Sequence, residues 1–532
     1  MPFISSSACR ASWLALAAGL AATQAQAQVS PPLAATSTVA ITVPAALAAS
    51  PFNVARTAQV PAGWALAVYA RVPGARFMAP MPDGSLLVSQ PGAGKISLVQ
   101  PGTGSGGPTV TDFATGLNQP HDMVFHTIGS TTYLYVAESD KIGRYTYQPG
   151  NLTGQGRQVI IAGLPNASTP ELNGAYAHAL KNIALDGNHK LYVSIASTCN
   201  VCLSDTQSDP KRAAIYRYDA DGTNRQLFAQ GLRNAEGLAF IPGTNVLWVT
   251  VNGRDNTPYP IQDNTGQYGQ VITSYVDNHP PDSFTKVVEN GNYGWPFANP
   301  NPDGPTGLDN MPFDLDYDTN RTGAVPLSTF TTISKGIQAH SAALGFTFLQ
   351  NSAFPAAYAS GAAVALHGSW NRSVITGYKV IYYPWNAATQ TPGAQADLVT
   401  GFTIGGVWGR PVDVAVDPQG ALLISDDYSG TIYKLTAPAS LLATRPSAGA
   451  SLARLYPNPT SAGTTTLDLA AVPAGPYLAT VLDVLGRPVL PPTRVSGGAT
   501  GQLPLGSLIA GTYLLRVQGA QYSQTLRLVV GE

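Results

Sequence analysis

Charge is what this 532-residue sequence has least of. Asp, Glu, Lys and Arg together make up 11% of it, against about 25% in an average soluble domain. The formal net charge is −1, so neither nucleic acid nor an anionic membrane is an expected partner. Long apolar runs are missing as well. The run at residues 13–22 is too short to cross a bilayer as a helix, and no later stretch reaches the roughly 18 residues that would, so no membrane span is expected. With Arg10 before it and Ala25-Gln26-Ala27 after it, that short run reads as a signal peptide over residues 1–27. Cysteine is scarce, at three, and Cys9 falls in the signal. Cys199 and Cys202 are left in C-x-x-C spacing, with no second pair to complete a zinc site. Leu203 follows, not the His of a haem-attachment motif. In an exported chain the pair is expected to form a small structural disulfide closing a loop.

Turn formers and aromatics are plentiful: 54 Gly, 43 Pro and 24 Tyr, with 44% hydrophobic residues overall. This composition suits short strands joined by turns better than long helices. Residues 28–57, rich in Ala, Thr, Ser and Pro, read as a lead-in with little structure of its own. From about Val60 a turn, an apolar run, a polar corner and a second run recur. Examples are residues 83–89 with 94–99, 133–137 with 142–145, 190–195 with 214–218, 363–367 with 378–382, and 421–425 with 431–435. The step is roughly 50–58 residues, near the roughly 40–50 that a four-stranded blade requires. One step is about twice as long, and its extra residues, 256–335, read as a loop insertion. The expectation is an all-β chain: a six-bladed β-propeller over residues 58–436, a linker over 437–451, and a small C-terminal β-sandwich over 452–532.

Several motifs run in order through the propeller region. They are Gly231-Leu232-Arg233-Asn234, Asn252-Gly253-Arg254-Asp255, Asn292-Tyr293-Gly294-Trp295-Pro296, His340-Ser341-Ala342-Ala343, His367-Gly368-Ser369-Trp370-Asn371-Arg372, Gly409-Arg410-Pro411-Val412 and Ser425-Asp426-Asp427. The series resembles the soluble glucose dehydrogenases that use pyrroloquinoline quinone (PQQ), and more closely their L-sorbosone dehydrogenase branch. The resemblance implies PQQ and Ca²⁺ as cofactors, a sugar or sugar-derived aldehyde as substrate, and an external electron acceptor. It implies that a His takes the substrate hydroxyl proton while hydride passes to the quinone, a task suited to imidazole. His178 matches that base, with His121 as competitor and His340 and His367 as pocket walls. Carboxylates on the cofactor call for cations. The resemblance assigns Arg233, Arg372 and Arg410, completed by Asn234 and Gln119. It assigns calcium to the backbone carbonyls of Gly253 and Arg254. The pattern is broken at Lys181, where an Arg is usual, and at Val412, where a second cation is usual. Asp314-x-Asp316-x-Asp318 lacks the Gly and Glu of an EF-hand loop and reads as a solvated loop.

A different set of motifs closes the chain: Leu455-Tyr456-Pro457-Asn458-Pro459, Asp483-Val484-Leu485-Gly486-Arg487 and Gly511-Thr512-Tyr513-Leu514. They resemble the C-terminal sorting domain of type IX secretion, which makes the export machinery a partner and implies a secreted or cell-surface protein. Two other functions suit the same fold. A calcium-dependent sugar lactonase would require carboxylate or Asn side chains clustered on the channel axis, and the other is a non-enzymatic glycan or protein binder.

Overall fold

The computed structural model describes residues 33–102, 107–438, 452–461, 463–483, 489–506, 508–519 and 523–531. It divides into two compact units, Met1–Ala439 and Ser440–Glu532. The expected signal peptide and most of the expected linker lie outside the described residues.

Among the described residues the regular structure of the first unit is nearly all strand. Six sheets follow one another along the chain, antiparallel throughout but for Gln226–Gln230 with Gly291–Asn292 in the third. Their first strands are Met78–Pro80, Met123–Ile128, Ile183–Leu185, Asn234–Phe240, Ala343–Phe348 and Pro411–Val416. The sixth sheet contributes three strands in sequence and takes its fourth, Ala65–Arg71, from the other end of the unit, pairing Ala65 with Thr436 and Arg71 with Thr431. Strands inside this stack are apolar on both faces. Ala362–Leu366 is buried at every position because neighbouring sheets cover it from both sides, which is why its sequence runs apolar without alternating.

The buried side chains explain how the sheets associate. One cluster joins the first and second sheets through Leu87, Ile96, Leu134 and Tyr145. Others join second to third, third to fourth, fourth to fifth and fifth to sixth. A last cluster, with Ala70, Leu86, Val88 and Ile432, joins sixth to first. The first strands also touch in this cyclic order. Two buried carboxylates help tie them. Asp122 accepts from the Ile183 amide at 2.9 Å, and Asp413 accepts from the Met78 amide at 2.9 Å.

Two stretches differ from the sequence reading. The lead-in is not structureless: Thr36–Ala40 pairs with Thr57–Pro61, using alternate residues to cover an apolar edge. Residues 256–335 are more than a loop. They supply Asp282–Val287, Asp309–Met311 and Ile333–Ile337 to the fourth sheet, which the scattered Pro and Asn residues there conceal.

In the second unit, Arg454–Tyr456, Thr464–Asp468 and Thr500–Pro504 form one sheet. Thr493–Gly497, Gly475–Leu482, Gly511–Gln518 and Ser523–Val530 form another. Leu467, Val481, Leu503, Leu515 and Leu528 share one core. Residues 484–488, part of the second sorting motif, lie outside the described residues.

Candidate active site

Register places the chemistry. In each sheet the first strand starts where the second ends: Met78 faces Val88, Met123 faces Val136, Ile183 faces Val193, Asn234 faces Asn252, Ala343 faces Leu366 and Pro411 faces Asp426. Residues just before a first strand and just after a second strand therefore gather at one end of the stack. Arg76, His121, Lys181, Arg233, His340 and Arg410 come from the former positions, and Asn252, Asp255, His367 and Asp427 from the latter.

His178 sits beside the third sheet. Its Nδ1 lies 2.8 Å from the Ser197 carbonyl and 3.0 Å from Ser197 Oγ. Donation to that carbonyl places the proton on Nδ1 and leaves Nε2 as the acceptor, with no hydrogen-bond partner among the described residues. Burial and then the Arg233 charge push the imidazole down to about 4, so it is neutral at ordinary pH.

Arg233 is buried at 6% exposure. Its Nε and Nη2 donate to the Asn200 carbonyl and Oδ1 at 3.1 and 3.0 Å, and Nη1 donates to the Gly253 carbonyl at 2.7 Å. Asp255 stands 3.4 Å from Nη2 and 3.5 Å from His340 Nδ1. Burial raises the Asp255 carboxyl, but the His340 hydrogen bond and the Arg233 charge outweigh it and hold it low. The backbone reaches Arg233 through Gly231, at φ +76°. A Cβ there would lie 2.5 Å from Asn292 Oδ1 and 2.7 Å from the Gly294 amide nitrogen, so only glycine fits.

A second network links residues of the fifth, sixth, first and second sheets. His367 Nε2 meets Asp427 Oδ1 at 2.8 Å, Arg76 Nη1 donates to Asp427 Oδ2 at 3.0 Å, and Arg76 Nη2 lies 3.4 Å from His121 Nε2. Burial raises Asp427, yet the His367 hydrogen bond and the neighbouring cations bring it to about 2. Asn234 Nδ2 donates to Glu236 Oε1 at 3.0 Å and to Asn252 Oδ1 at 3.1 Å. Burial drives Lys181 down to about 7, against the pull of Asp140 and Glu236. Arg76 Nε and Glu236 Oε2 are buried without a hydrogen-bond partner among the described residues. Such orphaned groups are costly and mark where a polar ligand would complete the site.

Arg410 Nε and Nη2 donate to the His367 and Gly368 carbonyls at 3.0 Å each. Arg372 is turned to the Asp277 and Ala339 carbonyls. Asn371 beside it reaches Asp255 at 3.4 Å. Gln119 is exposed, with φ +50°, and its side chain takes no part in these networks. His121 is fully buried, and its Nδ1 lies 3.3 Å from the Lys181 carbonyl. Val412 is buried against Phe77 and Leu344, so that strand offers Arg410 alone. Sequence reasoning missed Arg76, which stands in Gly74-Ala75-Arg76-Phe77 with no flanking motif and is placed only by the sixth sheet closing on the first.

The carbonyl set assigned to calcium does not fit this arrangement. Gly253 O already accepts from the Arg233 guanidinium, which would repel a divalent cation. The Arg254 side chain is buried and pairs with Asp316 and, at 2.9 Å, with Asp318. That pairing also corrects the reading of the acidic loop as solvated. Asp316 is 1% exposed, caps the helix Tyr317–Asn320 and accepts from Asn299 at 2.9 Å. Among the described residues no group of three or more His, Cys, Asp or Glu side chains could hold a metal ion. The expected disulfide is present, Cys199 to Cys202. A cavity of 580 Å³ runs along the first strands, lined by Met78, Asp122, Ile183, Phe348, Asp413 and Asp417. The buried carboxylates Asp122 and Asp413 accept from backbone amides.

A family model described as TrAA12-like matches residues 58–438. The chain belongs to the TrAA12-like family. The matched stretch carries every motif from Gly231-Leu232-Arg233-Asn234 to Ser425-Asp426-Asp427. A second model, the secretion system C-terminal sorting domain, matches residues 454–531 and makes this TrAA12-like protein secreted or cell-surface. No described helix is long and apolar enough to cross a membrane. The holo form of the pyranose dehydrogenase PQQ domain from Coprinopsis cinerea shares the fold at TM-score 0.58 and 18% identity, over 71% of this chain and 97% of that one. A calcium structure of a Trichoderma reesei carbohydrate-active enzyme of family AA12 does so at 0.57 and 18%, over 71% and 96%. An uncharacterized protein of Borreliella burgdorferi is 28% identical over 268 residues, 49% of this chain and 62% of that protein. The chain thus spans about three-fifths of the length of that curated relative.

Proposed function

We propose that the protein is an exported dehydrogenase that oxidises an aldose or a sorbosone-like sugar aldehyde with PQQ, and that His178 is the base. The observation that carries this reading is the His178 imidazole, kept neutral and oriented through Nδ1, in a site ringed by Arg76, Arg233 and Arg410. We read the six sheets as the blades of a six-bladed propeller, on the support of the cyclic run of shared cores and the closing strand Ala65–Arg71. The two C-terminal sheets over one core are read as a small sandwich recognised by the type IX machinery.

When bound, PQQ supplies the two-electron sink of the reaction. The chain would hold its carboxylates with Arg233, Arg410 and Arg76, adding Asn234 and, from the rim, Arg372 and Gln119. His178 Nε2 would take the proton of the substrate hydroxyl, while donation to the Ser197 carbonyl holds the ring and shares the positive charge that develops. The electrons would pass to an external acceptor. No step is routed through calcium; whether activity survives chelation is a direct measurement.

A lactonase reading draws on Asn234, which donates to Glu236 and Asn252, and on Asn182. It is disfavoured by their company. Arg76 and Lys181 face the same carboxylate and oppose a cation there.

The test is reconstitution of the mature chain with PQQ and a dye acceptor against aldoses, sorbosone and uronic acids. PQQ-dependent turnover is expected. His178→Ala should lower kcat by about 10²–10⁴ while PQQ still binds. Absence of PQQ binding by absorbance or calorimetry overturns the reading.

A further inference from the structure

The loop between the third sheet and the site has a feature that a plain structural disulfide does not require. Its middle residue, Asn200, makes five hydrogen bonds. The carbonyl accepts from Arg233 Nε and from Trp295 Nε1, each at 3.1 Å. Oδ1 accepts from Arg233 Nη2 at 3.0 Å and from the Asp255 amide at 2.8 Å. Nδ2 donates to the Asp255 carbonyl at 2.8 Å. One side chain and one carbonyl thus hold the buried cation of the site and the segment carrying its carboxylate.

Asn200 is itself held from both directions. On one side Ser197 donates its amide to the Arg233 carbonyl at 2.8 Å, accepts from His178 Nδ1, and ties its Oγ to the Cys199 carbonyl at 2.9 Å. Thr198 is clamped by the buried Asp205 through its amide at 2.7 Å and its hydroxyl at 2.8 Å. On the other side the disulfide bridges the residues flanking Asn200-Val201. So short a loop restricts the unfolded chain little. The consequence of the bridge therefore falls on the local order of Asn200 more than on global stability.

We propose that Asn200 is a positioning residue that fixes Arg233 for the cofactor's carboxylates and holds the Asp255 segment beside it, and that the Cys199–Cys202 disulfide acts by holding Asn200 in place. The assignment to PQQ rests on the function proposed above. The assignment of Asn200 to Arg233 and Asp255 does not.

The experiment is a double-mutant cycle on the full mature chain, with PQQ as the probe. Wild type, Asn200→Ala, the pair Cys199→Ser with Cys202→Ser, and the combination are titrated with PQQ in calcium-containing buffer. The thermal midpoint of each apoprotein is recorded alongside. Asn200→Ala should weaken PQQ binding at least tenfold, and loss of the disulfide several-fold. The combination should be no weaker than Asn200→Ala alone, with every midpoint within a few degrees. Dithiothreitol should reproduce the Cys pair's effect in wild type, reversibly. A cofactor-free readout accompanies these: the titration of His178 in ¹³C-histidine-labelled apoprotein, assigned by His178→Ala. Once Arg233 is released, its midpoint should rise towards that of an ordinary histidine. Unchanged affinity and an unmoved His178 midpoint in Asn200→Ala overturn the proposal. Equal losses from disulfide removal with and without Asn200 overturn the disulfide's part. If wild type fails to bind PQQ, the dehydrogenase reading falls, and the His178 titration alone decides whether Asn200 positions the site.

Discussion

A single imidazole carries opposite obligations in this site: it has to be neutral to accept a proton and close to cations that bind an anionic ligand. Burial and the Arg233 charge satisfy the first by pushing His178 down to about 4. The same shift makes a stability prediction. The folded protein releases the His178 proton at about 4, whereas an unfolded histidine, with its ordinary value of 6.5, holds it longer. The unfolded state therefore binds more protons between those values, and stability is lost as pH falls from about 6.5 through 4. The urea midpoint of wild type is expected to drop more steeply over that window than that of His178→Ala. The histidine itself was legible in Tyr176-Ala177-His178-Ala179, but its proton location was not, because the carbonyl that sets it belongs to Ser197 on the far side of a strand pair. Arg76 was illegible for a related reason. Its partner Asp427 lies 351 residues away, and no local pattern announces a contact of that span.

Strands were easier to read than their interruptions. Apolar runs bounded by Gly and Pro became strand pairs in the positions expected. Residues 256–335 read as a loop and yet form strands, since short strands among Asn, Asp and Pro are held by pairing to a sheet and not by their own composition. Two predictions belong at this level. Gly231→Ala places a Cβ against Asn292 and Gly294 at φ +76°, and is expected to cost about 1–3 kcal/mol by urea denaturation, with weaker PQQ binding because Arg233 is two residues on. Asp122 ties the second sheet to the third, and burial raises its carboxyl to about 7. The sign is then opposite to that of His178: the folded state binds more protons between the ordinary 3.8 and 7, so this group's contribution to stability falls as pH rises through that window. Asp122→Asn should remove the trend, and the advantage of wild type over the variant should narrow between pH 5 and pH 8.

The whole molecule combines two units with separate cores and separate tasks. Removal of residues 452–532 is expected to leave PQQ-dependent turnover and the thermal midpoint of the first unit unchanged in vitro. The truncated protein should accumulate inside the cell envelope instead of at the surface or in the medium, as fractionation and immunoblotting would show. The sorting motifs declared that tail plainly. The sequence by itself determined the strand-rich class, the sorting tail and the family, because each is written in local composition or contiguous motif. Tertiary structure decided which residues meet: Arg76 with Asp427, Asn200 with Arg233, Arg254 with Asp316. Those pairings depend on register and on the cyclic contact of the first strands, and both are set by packing between sheets distant in sequence.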